Sequence, residues 1–379
     1  MRFRVERDVL AEAVAWAARS LPARPPVPVL AGLMLSADTD AAGRLVLSSF
    51  DYAVSARVEI PADVTEGGVA LVSGRLLADI TRSLPARPVE VATDGAKVVV
   101  TCGSSRFTLL TLPVEDYPTL PEMPGASGSL RGDLFAAAVG QVSIAAGRDD
   151  TLPVLTGVRL EIEAEKITMA ATDRYRLAVR DLAWTPEQAG LSAIALVPAR
   201  TLADTAKSLA SADKVTVALA SGGTGEGLVG FEGSGRRTTS RLLDGEFPKY
   251  KSLLPAESAS VATVETAGLV ESVRRVALVA ERNTPIRLSF SGGEVTLEAG
   301  SGDEAQASES LDAGLAGDDI SIAFNPAYLL DGLGVLDAAY AELRFTASTR
   351  PAVIAAKDSM DATAGDDYRY LLMPVRLSG

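Results

Sequence analysis

The sequence predicts an α+β protein made of three tandem domains, each with two helices and antiparallel sheets. Three observations carry that reading. A phrase recurs along the chain, ALVSGRLLAD at 70–79, ALVPARTLAD at 195–204 and, more loosely, IAFNPAYLLD at 322–331. A second phrase, PVLAG at 28–32, returns as PVLTG at 153–157. Between the first two copies both phrases are displaced by 125 residues (204 − 79 and 153 − 28), and the third copy follows at 127 (331 − 204). A period of that length is the size of a domain and far exceeds a solenoid unit. The third observation is that each period holds the same succession of helical and strand-like patterning.

Each copy opens on an amphipathic helix. In the first, 6–21, residues Val9, Leu10, Ala13, Trp16 and Ala17 recur at helical spacing, and 132–147 and 267–282 follow similar patterns. Strands come next: LAGLMLSADTDAAGRLVLSSFD, LTGVRLEIEAEKITMAATD and IRLSFSGGEVTLEAG alternate apolar and polar residues around turns containing Gly or Asp. Such alternation marks antiparallel hairpins with one buried face. A second helix begins at the recurring phrase, with Ser73 and Asn325 as N-caps in copies one and three and Pro198 near the first turn in copy two. Further strands close each copy, giving about eight per domain. Two Pro-rich passages, 113–129 and 242–258, each contain an aromatic-Pro pair, Tyr117-Pro118 and Phe247-Pro248, and mark the joints. The domains are therefore expected at 1–124, 125–254 and 255–379.

Composition narrows the function. With 379 residues, 47% hydrophobic and 22% charged, the chain reads as an ordinary globular protein of several domains. No apolar run reaches the roughly 20 residues that cross a bilayer, and the N-terminus MRFRVERDVL has charges where a signal peptide has its apolar core. A cytoplasmic location without membrane association is expected. Histidine is absent, which removes the commonest general base, the usual partner of a Ser or Cys nucleophile and the commonest metal ligand. The single cysteine, Cys102, lies in the apolar run VVVTCG and is expected to be a buried thiol. Neither a cofactor nor a metal site is expected.

The net charge of −13 opposes nucleic-acid binding unless the cations are concentrated in one place. They favour the helices and their exits: Arg7, Arg19 and Arg24; Arg75 and Arg82; Arg148; Arg200, Lys207 and Lys214; Arg274, Arg275 and Arg282. The sixth helix has none. Taken singly, such arginines only solubilise a helix. Helices facing one way would instead present a basic surface that tracks a phosphate backbone without reading bases. The acidic stretch 301–319 is simplest as a solvated strand and loop. The glycine cluster 221–230 does not open a helix, so it reads as a hairpin turn and not a phosphate loop.

Five phrases taken together are specific: the M-x-F-x-V-E-R-like start, the triplicated helix phrase, ATDRYRLAV at 171–179, LLDGEFPKY at 242–250 and YLLMPVRL at 370–377. With them the chain resembles, over essentially its whole length, the bacterial DNA polymerase III beta subunit family, the sliding clamps. Its Ala- and Arg-rich composition is similar to that of actinobacterial members. The resemblance implies three DNA-clamp domains per chain, joined as a head-to-tail homodimer into a closed ring of six domains. It further implies a non-catalytic processivity factor of the DNA polymerase III holoenzyme that encircles double-stranded DNA without sequence preference. The implied protein partners are the replicative polymerase, the clamp loader and other proteins with a clamp-binding motif.

The same resemblance implies two kinds of site. Arg24 and Arg75 match DNA-contacting arginines. Arg200 and Lys207 stand on the corresponding helix of copy two, and Arg148 belongs to a loop that touches DNA in the family. Here that loop reads GRDDTLPVL, with Asp149 and Asp150 and no aromatic pair. A peptide-binding pocket between domains two and three is implied at Leu155, Thr172, Arg174, Tyr175, Arg176, Leu177, Pro248, Leu253, Asn325, Tyr328, Met373, Pro374, Val375 and Arg376. Leu, Pro and Met suit an adaptable apolar trough, while Arg, Asn and Tyr orient a peptide by hydrogen bonds. Arg174-Tyr175 stands where many members have Gly-His, and Ser252 where a basic residue is common.

Two other readings compete. One is an accessory clamp copy, or a repeat-built scaffold for peptides or small molecules. The other is a carboxylate-dependent hydrolase using Asp149 and Asp150 or Asp366 and Asp367, although adjacent acids on extended chain point to opposite faces.

Overall fold

The computed structural model describes residues 1–39, 43–219, 227–280, 284–300 and 305–376. Among them are six α-helices and 26 strands, nine each in copies one and two and eight in copy three. The helices are α1 (Arg7–Ala17), α2 (Gly74–Ser83), α3 (Gly132–Ser143), α4 (Ala199–Ser208), α5 (Thr266–Val276) and α6 (Pro326–Gly334). The three hairpins read from the sequence form as antiparallel pairs.

The chain divides into two compact units, and the middle repeat is shared between them. Unit 1 holds Met1–Phe135, Thr185–Gln188 and Asp204–Leu242, and unit 2 holds the rest. Unit 1 carries a 14-stranded antiparallel sheet in which Arg236–Arg241, from the middle repeat, pairs with Val54–Pro61 from the first. Beneath the pairing, the hydroxyls of Ser55 and Thr239 meet at 2.6 Å in a buried contact. In unit 2 a 12-stranded sheet is joined in the same way, Arg176–Ala183 pairing with Tyr368–Leu372. In unit 1, α1 buries Leu10, Ala13, Val14, Trp16 and Ala17 into one continuous apolar core, and Cys102 is enclosed there too.

The two recurring phrases recur together because they touch. A Cβ on Gly32 of PVLAG would meet the Leu71 side chain at 2.6 Å, and one on Gly157 of PVLTG would meet Leu196 at 2.8 Å. Leu71 and Leu196 belong to the other phrase, 125 residues apart, so each copy needs the glycine for close approach. The helix starts also align. Arg75, Arg200 and Ala327 are each the second residue of their helix.

Several expectations are refined. Asn325 caps α6 as expected, its Oδ1 accepting from the N–H groups of Ala327 (2.9 Å) and Tyr328 (3.3 Å). Ser73 occupies the cap position of α2 but makes no capping hydrogen bond, and Pro198 ends the strand before α4. In the acidic stretch, Asp303 and Glu304 lie outside the described residues, and 307–317 is a strand. Its Glu309 is not simply solvated. It accepts hydrogen bonds from Arg275 and Ser272, which pull its carboxyl down to about 2. Most of the glycine cluster, 221–226, also lies outside the described residues, while the strands Val215–Leu219 and Leu228–Gly233 pair antiparallel.

Candidate functional site

In unit 2 the site grows from a tight turn after the strand Lys166–Thr172. The Asp173 N–H donates to the Arg176 carbonyl at 3.4 Å, and Asp173 Oδ1 accepts from the N–H groups of Tyr175 (3.0 Å) and Arg176 (3.1 Å). Thr172, itself buried, adds a bond from its Oγ1 to the Arg176 carbonyl at 2.7 Å. This arrangement holds Arg174 at φ +82°, a left-handed conformation that disfavours a residue with a Cβ.

The turn delivers Arg176 into a cage. Its Nε donates to Asp173 Oδ2 at 3.0 Å, Nη1 donates to Asp331 Oδ2 at 2.5 Å, and its guanidinium lies over the Tyr328 ring at 4.3 Å. Burial works against the charge. The hydrogen bond to Asp331 and the nearness of Asp173 outweigh it, so the guanidinium holds its proton more tightly than usual. Tyr328 is fixed from both ends. The Asn325 cap holds its N–H, its carbonyl accepts from Tyr370 Oη at 2.7 Å, and its ring stacks on Tyr175 at 6.2 Å between centroids.

Beside this cage lies a cleft of about 670 Å³. Of the pocket residues named from the sequence, Leu155, Arg174, Tyr175, Arg176 and Tyr328 line it. Ala327 and Asp331 line it from α6, and Ala146, Leu152 and Asp149 from the loop after α3. Arg148, assigned to DNA contact in the sequence, lines the same cleft.

The remaining pocket candidates lie outside the cleft lining. Leu177 is fully buried in an apolar cluster with Phe247, Tyr250, Val353 and Leu371. Pro248 and Leu253 are exposed beside the buried Phe247 and Tyr250. The turn bearing Leu253 is anchored by Lys251, whose Nζ reaches Glu161 at 2.7 Å. Met373 is 41% exposed, and its N–H donates to the Tyr175 carbonyl at 2.9 Å. Pro374 and Val375 are half-buried, the latter bonded to the Ala323 carbonyl, and Arg376 is exposed.

Asp331 was missed in the sequence reading although it ends the third recurring phrase. Its spacing of three from Tyr328 puts both on one face of α6, and that was the available signal.

The five cations assigned to DNA, Arg24, Arg75, Arg148, Arg200 and Lys207, are all exposed, and among the described residues none forms an ion pair. In unit 1, Arg75 donates to the carbonyl of Pro22, two residues before Arg24. Other basic helix residues are already engaged: Arg7 with Asp8, Arg82 with Asp79, Arg274 with Glu271 and Arg275 with Glu309. The expected basic surface is therefore narrowed to part of the helix cations. Arg274 and Arg275 are neutralised by neighbouring acids, and Arg282 lies outside the described residues.

Known proteins share this architecture. Residues 1–121, 129–249 and 251–376 match the N-terminal, central and C-terminal domains of the DNA polymerase III beta subunit. The chain is 65% identical to the beta sliding clamp of Streptomyces coelicolor over the full length of both. The chain belongs to the DNA polymerase III beta subunit family. It is 50% identical to the beta sliding clamp homolog GriR of Streptomyces muensis, over 99% of each chain. Its fold superposes on the sliding clamp of Pseudomonas aeruginosa bound to griselimycin with a TM-score of 0.91, at 28% identity and full coverage of both chains.

Membership of the beta subunit family makes the chain a non-catalytic processivity factor, and the hydrolase reading falls. Three of the four acids it named are engaged: Asp149 accepts from Thr151, Asp366 from Arg344 and Asp367 from Arg180. The hydrogen bonds from Thr151 lower the Asp149 carboxyl, the opposite of what a general acid requires. Among the described residues no cluster of His, Cys, Asp or Glu is arranged to hold a metal, and no helix is long and apolar enough to cross a membrane.

Proposed function

We propose that two copies of this chain, each of three domains at 1–124, 125–254 and 255–379, join head to tail around duplex DNA in the cytoplasm. There they tether DNA polymerase III and other proteins whose linear segments dock in the cleft of unit 2. The observation that carries the DNA reading is the division among the helix cations. Among the described residues Arg24, Arg75, Arg148, Arg200 and Lys207, on the helices and in the loops that follow them, form no ion pair on a chain of net charge −13, while Arg7, Arg82, Arg274 and Arg275 are bound to acids. Guanidinium and ammonium groups not neutralised by acids meet phosphates without reading bases, so the contact permits sliding. The docking reading rests on an apolar trough of Leu152, Leu155 and Ala327 beside the stacked rings of Tyr175 and Tyr328.

Retention on circular DNA, followed by loss when that DNA is cut, tests the encircling reading. Equal retention on both forms would overturn it. Met373→Ala should abolish binding of a polymerase-derived peptide while the dimer persists, and unchanged affinity would move the docking site elsewhere.

A further inference from the structure

Unit 2 holds a second cleft, which shares no lining residue with the first. One wall is α5, where Ala267, Val270, Glu271 and Arg274 fall at helical spacing on one face. The other is the end of α6 and the chain after it, 333–339, and the Thr266 N–H ties the two walls together by donating to the Ala339 carbonyl at 2.9 Å. Asp358, just beyond the strand Ala352–Lys357, completes the rim. The volume of about 660 Å³ lies within the range of roughly 300–1,000 Å³ usual for small-molecule sites.

Leu333 and Leu336 are buried and Val270 is half-buried, so the floor is apolar. Thr266, also in the lining, is only 8% exposed, and its buried Oγ1 has no hydrogen-bond partner. A buried hydroxyl in that state is unfavourable, and a donor from a ligand would remove the penalty. Arg274 and Glu271 answer each other at 2.7 Å. The carboxylates of Asp337 and Asp358 are exposed and, among the described residues, have no ion-pair or hydrogen-bond partner. Three acids against one arginine leave the lining at −2. Asp337 is particular to copy three: six residues after the aspartate that closes the recurring phrase, the earlier copies have Pro85 and Ala210.

We infer that this cleft binds a linear aliphatic polyamine. Its ammonium groups meet Asp337 and Asp358, its carbon chain lies on Val270, Leu333 and Leu336, and one N–H donates to Thr266 Oγ1. A divalent metal ion fits less well. It needs about six oxygen ligands, and among the described residues Glu271, Asp337 and Asp358 are not grouped to hold one. Acids spread along an apolar floor call for cations spread along an apolar chain.

Spermidine titrated into the full-length protein without DNA, and followed by isothermal calorimetry, tests this. Saturable binding at a single class of site is expected, weakening with salt. Asp337→Asn and Asp358→Asn, both at exposed side chains, should each weaken it about three- to fivefold. Thr266→Val, which removes the hydroxyl and keeps the shape, should weaken it about tenfold. Asp94→Asn, at an exposed acid of unit 1, should leave it unchanged. Nα-acetyl-lysine amide should bind more weakly than spermidine, since it offers one ammonium to two acids.

Absence of saturable binding would overturn the polyamine site. So would an affinity that Asp94→Asn lowers as much as Asp337→Asn does, which would reveal only the general attraction of a chain of net charge −13. Displacement of spermidine by an equal concentration of Mg2+ would have the same meaning. Binding of the lysine amide as tight as that of spermidine would assign the cleft to a protein's lysine side chain and overturn the polyamine reading.

Discussion

Residues 51–54 and 173–176 form the same turn in different copies, and they do different work. In both, the Asp N–H donates to the carbonyl three residues on (Asp51 to Val54, 3.2 Å; Asp173 to Arg176, 3.4 Å). In both, Asp Oδ1 accepts from the second and third following N–H groups, and the next residue sits at positive φ, +72° at Tyr52 and +82° at Arg174. The side chains then part company. Tyr52 packs edge-on against Phe50 at 5.7 Å, and the place of Arg176 is taken by the uncharged Val54. In copy two, Tyr175 stacks on Tyr328 and Arg176 binds Asp331. Duplication preserved a backbone device, and three side-chain differences make one instance of it the wall of a cleft.

The comparison can be broken at its strongest point first. Arg176→Ala leaves the largely buried Asp173 without its cation and should cost about 3 kcal/mol in chemical denaturation, against about 1 kcal/mol for Val54→Ala. Equal losses would mean the ion cage contributes nothing to unit 2. Next, Asp51→Ala and Asp173→Ala each remove two amide caps. Both should destabilise by about 1–2 kcal/mol, Asp173 by more, with faster hydrogen exchange at Ala53 and Val54 or at Tyr175 and Arg176.

A further contrast lies in the aromatic-Pro pairs. Tyr117 Oη accepts from the Phe50 N–H at 2.7 Å, while its counterpart Phe247 has no hydroxyl. Burial pushes the Tyr117 phenol up to about 12 from 10, overcoming the Phe50 hydrogen bond that lowers it. A raised phenol contributes fully below pH 10 and loses its contribution between 10 and about 12, at up to about 1.4 kcal/mol per pH unit. Tyr117→Phe should flatten that part of the alkaline stability profile, and an unchanged slope would show that other groups set it. The smallest effect is expected at the strained positions. In Tyr52→Gly and Arg174→Gly, relief of the positive φ nearly cancels against the entropy of glycine in the unfolded chain. Each melting temperature should correspond to a change within about 0.5 kcal/mol.

Patterns with a fixed short spacing were legible in the sequence. The hairpins, the helix starts at Arg75, Arg200 and Ala327, the Asn325 cap and the buried Cys102 all follow from local chemistry. Five of the cleft's residues, from Leu155 to Tyr328, were reached through motifs of the family. What escaped was the chemistry of contacts distant along the chain. Asp331 meets Arg176 across 155 residues, and no local period announces such a pair. Arg148 reads in the sequence as a DNA contact beside Asp149 and Asp150, because its place on the cleft depends on how 146–155 folds against the 173–176 turn. Ser73 has the right identity for a cap, yet its side chain makes no bond to the helix, and Arg275 looked available until Glu309 folded against it. Residue type states what a group can do, and only the packed neighbours decide whether it does so.

The pairing of Arg236–Arg241 with Val54–Pro61, and of Arg176–Ala183 with Tyr368–Leu372, has a consequence for anyone dividing this chain. Cut at the repeat joints, the middle third would carry two long strands whose outward N–H and C=O groups had lost their partners. Such raw borders recruit other strands and seed aggregates. The stretch that was copied in evolution is thus not a piece that can live alone: its borders were healed by fusing them to its neighbours.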